Sequence, residues 1–161
     1  MVSTIIISFF IIIIAVVILV LVATRSKSPS SGGRKKVKGR AVLMKEASRR
    51  LAQNPHDIEG LFIMGDIYYQ DQDWEKAYTA YSALLDRMKP LEMNKQLDVA
   101  IRYGICALKT NRLPEAKKGF LLAETINPKN LDVSYNLGYI YYLEKDYEKA
   151  VKFFKRTLIL E

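Results

Sequence analysis

One cysteine, one histidine and one tryptophan in 161 residues leave little material for side-chain chemistry. With Cys106 alone no internal disulfide can form, and its setting among Ile105, Ala107 and Leu108 reads as a small core residue. The single histidine, His56, stands beside Pro55, so histidine-based triads and histidine-containing zinc clusters lack their members. A Gly-rich phosphate loop is missing too, since Gly32-Gly33 lies away from any strand-to-helix turn. Asp71, Asp73, Glu144 and Asp146 fall at turns and helix starts, where solvation and capping account for them. The expectation is a protein that is not an enzyme and uses no cofactor and no metal.

Acidic residues are absent until Glu46, whereas Arg25, Lys27, Arg34, Lys35, Lys36, Lys38 and Arg40 come earlier. Of the 25 Lys and Arg, eighteen therefore remain after residue 40 to balance all 17 Asp and Glu. Of the net charge of +8, seven units thus belong to the segment 25–40, and the rest is close to neutral. That argues against nucleic acid, which requires a basic face on the folded domain.

Charge is also missing from residues 5–23, IIISFFIIIIAVVILVLVA. At ~1.5 Å per helical residue this run approaches the ~30 Å hydrocarbon thickness of a bilayer. It reads as a single transmembrane helix over 5–24, behind a tail of residues 1–4. A cleaved secretory signal is the rival reading, but Met1–Thr4 carries no Lys or Arg, the apolar run is long, and Val22-Ala23-Thr24 makes a poor cleavage site. The basic cluster just after the span places the following domain in the cytoplasm by the positive-inside rule, with the inner membrane of a bacterium as the expected location. Residues 25–40, with Pro29, Gly32, Gly33 and several serines among the cations, read as a flexible tether near anionic lipid.

Helical spacing begins at residue 41. Leu43, Ala47 and Leu51 form one stripe over 41–54, read as an N-terminal cap. Beyond it the chain repeats itself. A shift of 39 places lays Gly65 on Gly104, Ala77 on Ala116 and Tyr81 on Phe120; a further 34 lays these on Gly138, Ala150 and Phe154. Each copy has apolar residues at three- and four-residue steps, an interruption, then the same steps again, which is helix, turn, helix. Glycine inside a helix costs roughly 1 kcal/mol against alanine. Its recurrence implies close approach of the second helix, with Ala77, Ala116 and Ala150 expected opposite. The units are placed at about 58–90, 95–128 and 130–161, and KPLEMNKQ, residues 89–96, reads as an insertion that lengthens a loop or the next helix.

Leu137, Gly138, Tyr141, Ala150 and Phe154 in LGYIYYLEKDYEKAVKFF resemble the tetratricopeptide repeat, as do Gly65, Tyr68, Ala77 and Tyr81 in GDIYYQDQDWEKAYTAY. The middle unit keeps Gly104, Ala116, Phe120 and Pro128 but has Ala107 where the others have tyrosine. The resemblance implies an all-α solenoid of about three repeats with an N-terminal cap, residues 41–161. It also implies a concave groove, lined by the first helices, that receives a peptide or partner helix. Carried over by frame, that groove comprises Phe62, Asp66, Tyr69 and Gln70, then Ile101, Arg102, Ile105 and Lys109, then Tyr135, Asn136, Tyr139 and Tyr142. Phe62 and Asp66 stand where carboxylate-gripping members have Lys and Asn, which argues against a chaperone-tail receptor; an apolar, aromatic groove with Arg102 and Lys109 at one side favours a hydrophobic or mildly acidic ligand.

The chain stops at Ile159-Leu160-Glu161 with no polar closing helix, so either the natural protein is longer or the last helix meets another chain, including a second copy. The expected function is a membrane-anchored adaptor that binds a partner protein. An exported, periplasmic tetratricopeptide protein released by signal cleavage and a regulatory subunit of a membrane enzyme complex remain as alternatives.

Overall fold

Asp57, Asp73, Asn130 and Asp146 each accept a backbone N–H three residues on, from Gly60, Lys76, Val133 and Lys149. These caps satisfy donors that a helix start otherwise leaves unpaired, and they begin four of the seven helices in the computed structural model, which describes residues 31–160. In chain order the helices are α1 (Ser31–Gln53), α2 (Ile58–Gln70), α3 (Trp74–Leu85), α4 (Met93–Lys109), α5 (Leu113–Ile126), α6 (Leu131–Leu143) and α7 (Tyr147–Leu160). No strand occurs among the described residues. The chain divides into two units, residues 1–40 and 41–161.

In the second unit α2 pairs with α3, α4 with α5 and α6 with α7, and the pairs stack in order through α3 on α4 and α5 on α6. This is the helical solenoid expected from the period. The insertion takes both forms anticipated for it: a loop after α3 and a longer helix, α4 having 17 residues against 13 in α2 and in α6. The loop is tied down, with Met88 buried and the Gln96 amide donating to the carbonyl of Leu91 at 2.7 Å.

The tether is one correction. Residues 31–40 are helical, forming the first part of α1. Lys and Arg are nearly as helix-favouring as alanine, so the helix nucleated at 41–53 propagates back through a basic stretch despite its glycines. A second correction concerns the cap. Ala47 is fully buried and Leu51 lies against Gly60, but Leu43 is 50% exposed, so only the last turns of the stripe cover the first repeat. Among the described residues no helix is long and apolar enough to cross a membrane; the predicted span, residues 5–24, the tail 1–4 and the start of the tether, 25–30, lie outside them.

The repeated glycines do mark close approach, but the neighbour is not the alanine. A Cβ on Gly65, Gly104 or Gly138 would come within 2.9, 2.8 and 2.8 Å of the rings of Tyr81, Phe120 and Phe154. The alanines are buried nearby, and the aromatic one turn further on fills the space above each glycine. Gly119, outside that frame, has a stiffer constraint: a Cβ there would sit 2.8 Å from the Tyr103 ring and 3.0 Å from the backbone O of Ala100 and N of Gly104.

All three helical pairs turn through one backbone device. Gln72, Asn111 and Lys145, equivalent in the repeat frame, have φ of 59°, 58° and 63°. In each turn the following N–H reaches back five residues, Asp73 to Tyr68, Arg112 to Ala107 and Asp146 to Tyr141, closing a Schellman cap. Asparagine tolerates this left-handed conformation, whereas glutamine and lysine are strained by it. Gln72→Gly and Lys145→Gly should therefore each stabilise the protein by about 0.5–1 kcal/mol. An unchanged or lower urea midpoint for both would contradict that account of the turns.

Candidate protein-binding groove

The first helices of the second and third pairs, α4 and α6, leave a cleft of ≈ 580 Å³ between them. Five of the residues assigned by frame line it: Ile105 and Lys109 from α4, and Tyr135, Asn136 and Tyr139 from α6. Four others complete it. Leu108 and Leu143 come from the same helices, and Asn111 and Leu113 from the turn into α5. Leu113 was within reach of sequence reasoning, because the 39- and 34-residue shifts align it with Trp74 and Tyr147. The frame argument considered first helices only and passed over this smaller residue at the start of a second helix.

The lining is apolar with a few polar points. Tyr135 is 55% and Tyr139 42% exposed, one turn apart on α6, and Tyr135 leans on Phe154 at 5.9 Å between ring centroids. Such rings present broad apolar area with a polar tip. The amide of Asn136 donates to the carbonyl of Asp132 at 2.7 Å and so belongs largely to its own helix. Lys109 is exposed, with its ammonium 6.0 Å from the Trp74 ring centroid, and it makes no ion pair among the described residues.

The remaining predicted residues do not line this cleft. Asp66, Gln70, Tyr69 and Arg102 instead form a closed polar cluster joining the first and second pairs. Arg102 donates to Asp66, to Asp98 at 2.8 Å and to the Tyr81 hydroxyl at 3.3 Å, and its guanidinium lies 5.1 Å over the Tyr69 ring. Gln70 donates to the other oxygen of Asp66 at 2.9 Å. Burial opposes the charge on Arg102, yet Tyr81, Asp66 and Asp98 hold its pKa above the ordinary guanidinium value. With two carboxylates on it, this cation is matched within the chain. Phe62 is half-buried with the Lys95 ammonium 5.9 Å from its ring, Ile101 packs on the core, and Tyr142 is exposed beside Tyr147 at 6.0 Å.

Cys106 is fully buried, as expected, in the core cluster with Tyr81, Leu84, Val99 and Tyr103. Burial pushes its thiol pKa up to about 12, against ~8.5 for an unfolded thiol. Burial also raises the phenols of Tyr81, Tyr103 and Tyr69. Groups raised in the folded state give stability that is complete below the unfolded pKa and is lost as pH climbs toward the folded value. Stability should hold to about pH 8.5 and then fall, with Cys106 contributing up to ~1.4 kcal/mol per pH unit. In Cys106→Ala the decline between pH 8.5 and 9.5 should be shallower in denaturation curves; equal slopes would remove the thiol from the explanation.

The stacked pairs with a concave cleft define a tetratricopeptide-type helical scaffold. Models of the tetratricopeptide repeat match residues 59–87 and 131–158, so the chain carries these repeats in its first and third pairs. The middle pair, with Ala107, is matched by neither of these yet adopts the same helix-turn-helix form. Among solved structures, MamA of AMB-1 aligns with a TM-score of 0.63 at 23% identity, over 73% of this chain and 61% of that one. A second MamA crystal structure aligns with a TM-score of 0.65 at 18% identity, over 83% and 76%. PilF of Pseudomonas aeruginosa aligns with a TM-score of 0.58 at 20% identity, over 73% and 51%. The alignment thus spans less than two thirds of that AMB-1 MamA and about half of PilF. At such identities the likeness is one of fold. No curated protein matches the sequence.

Proposed function

We propose that the protein is a membrane-anchored scaffold that holds a short segment of a partner protein in the cleft between α4 and α6. The observation that carries this reading is the cleft itself. Its wall combines Ile105, Leu108, Leu113 and Leu143 with the exposed rings of Tyr135 and Tyr139, and Lys109 stands alongside without a carboxylate. A ligand with an apolar anchor and a nearby acidic group fits that chemistry, since burial of the anchor supplies the affinity and Lys109 sets polarity. Anchoring by residues 5–23 rests on their uncharged, apolar sequence, and the cytoplasmic orientation on the basic residues that follow.

Capture from intact cells on the full protein and on a Tyr135→Ala, Tyr139→Ala variant tests the groove. The variant should lose at least about 90% of a specifically bound partner, because two large contact surfaces leave the wall together. Identical recovery by both proteins would reject the cleft as the docking site. Membrane flotation tests the anchor, and protease added outside spheroplasts tests the orientation: a repeat domain digested from outside would reverse it.

A further inference from the structure

The interface between the first two pairs shows what the next one lacks. Where α2 meets α4, Arg102 donates across to Asp66 and, at 2.8 Å, to Asp98 on its own helix, while Gln70 donates to Asp66 at 2.9 Å. The 39- and 34-residue shifts carry these four places to the interface of α4 with α6. There Ile105 stands for Asp66, Asn136 for Arg102, Lys109 for Gln70 and Asp132 for Asp98. The central ion pair is replaced by an isoleucine and an amide, and the cleft lies at that place. A charge remains on each side of it, Lys109 and Asp132.

Neither charge is matched by an ion pair among the described residues. Asp98 has Arg102 one turn on, whereas Asp132 has Asn136, whose amide donates to the backbone carbonyl of Asp132 and leaves the carboxylate alone. That carboxylate is exposed in the first turn of α6, and Lys129, three residues earlier, makes no ion pair with it. The other charges on the two helices are Asp98 and Arg102, which pair with each other, and Lys95, whose ammonium lies 5.9 Å from the Phe62 ring on the side of α2. In the repeat frame Lys109 is level with Leu143, at one end of the cleft wall, and Asp132 lies just beyond the other end. From Asp132 to Leu143 the helix rises about 16 Å.

We infer that the partner segment supplies the missing pair: an extended stretch with a carboxylate beside Lys109, a lysine or arginine beside Asp132, and an apolar side chain between them over Ile105 and Tyr139. This rests on the groove reading and narrows it. At ~3.3 Å per extended residue the acid and the base are about five residues apart. Opposite charges at the two ends set the direction in which the segment lies. Asp132 is then a specificity-determining residue, because it repels a wholly acidic segment that Lys109 alone accepts.

Full-length protein in non-ionic detergent, immobilised and presented with a phage library of random short peptides, provides the test. Sequences retained by the native protein and lost on the Tyr135→Ala, Tyr139→Ala variant should carry an acidic and a basic residue about five places apart, with an apolar one between. For a synthetic peptide of the most enriched sequence, Asp132→Asn should weaken binding about fivefold and Asp132→Lys at least about tenfold. Exchanging the peptide's basic residue for glutamate should invert that order, so that the Asp132→Lys protein binds it more tightly than the native one does. Asp132 is exposed, and helical circular dichroism should be unchanged in both variants. Tyrosine-dependent peptides without a basic residue, or a basic residue whose exchange is indifferent to Asp132, overturn the inference and leave the groove standing. Peptides held equally by the tyrosine variant, or none retained at all, reject the groove and the inference with it.

Discussion

Phe120→Ala is expected to destabilise the protein by about 4 kcal/mol and to lower its melting temperature by roughly 10 °C or more. The ring is fully buried, packs over Gly104 and belongs to the cluster shared by the second and third helical pairs. Removing it loses the transfer free energy of a whole aromatic side chain and leaves a cavity that the closely apposed backbones of α4 and α5 cannot fully close. A companion result separates this account from generic core damage. In the native background Gly104→Ala sets a Cβ 2.8 Å from the ring, a clash costing about 1–3 kcal/mol. With Phe120 already truncated, the clash disappears and the helix propensity of alanine remains, so the same substitution should become neutral or favourable. Additive effects in the double mutant would show that the ring and the glycine are not partners.

Gly119→Val carries the second large effect, about 3 kcal/mol, for a different reason. At Gly65, Gly104 and Gly138 the obstacle is an aromatic ring, which can tilt. At Gly119 it is also the backbone of α4, with the O of Ala100 and the N of Gly104 both 3.0 Å from the position of a Cβ. Backbone atoms in a helix do not yield without the helices moving apart, and α4 and α5 share the most extensive helix–helix contact among the described residues. Gly119→Ala should cost less, about 1–2 kcal/mol, because its gain in helix propensity offsets part of the clash. Both values come from urea denaturation of the full chain. A stabilised Gly119→Ala would mean that α4 and α5 are less tightly apposed than their backbones indicate.

The helical pairs were legible because they are written in local spacing. Glycine, alanine and aromatic residues recur in one frame, and Asn-Pro and Asp at fixed offsets punctuate it. What filled the space above the glycines was not legible. Ala77 and Tyr81 lie on the same face of one helix, and only the crossing of two helices decides which of them meets Gly65. Gly119 escaped for a related cause, having no counterpart in the frame. The helical start of α1 was hidden by composition, since glycines and cations beside a proline suggest a tether, while helix propagation depends on the segment that follows.

The candidate groove divides along the same line. Ile105, Lys109, Tyr135, Asn136 and Tyr139 came from the frame and lie together. Arg102 was expected to offer its charge to a ligand, but Asp66, 36 residues away, takes it along with Asp98. No periodicity announces a pairing of that range. Leu113 and Asn111 entered the wall because the turn after α4 folds back toward the cleft, a placement that depends on the positive φ of Asn111.

The closed cluster around Arg102 limits how much ligand the protein can grip. On the proposed reading the ligand is then confined to the gap between α4 and α6, which suits a short extended segment at ~3.3 Å per residue. So brief a handhold lets go quickly. Lasting attachment then calls for several grips acting together, where each bound site raises the local concentration for the next. On the proposed reading, such a protein would work by number more than by the strength of any single clasp.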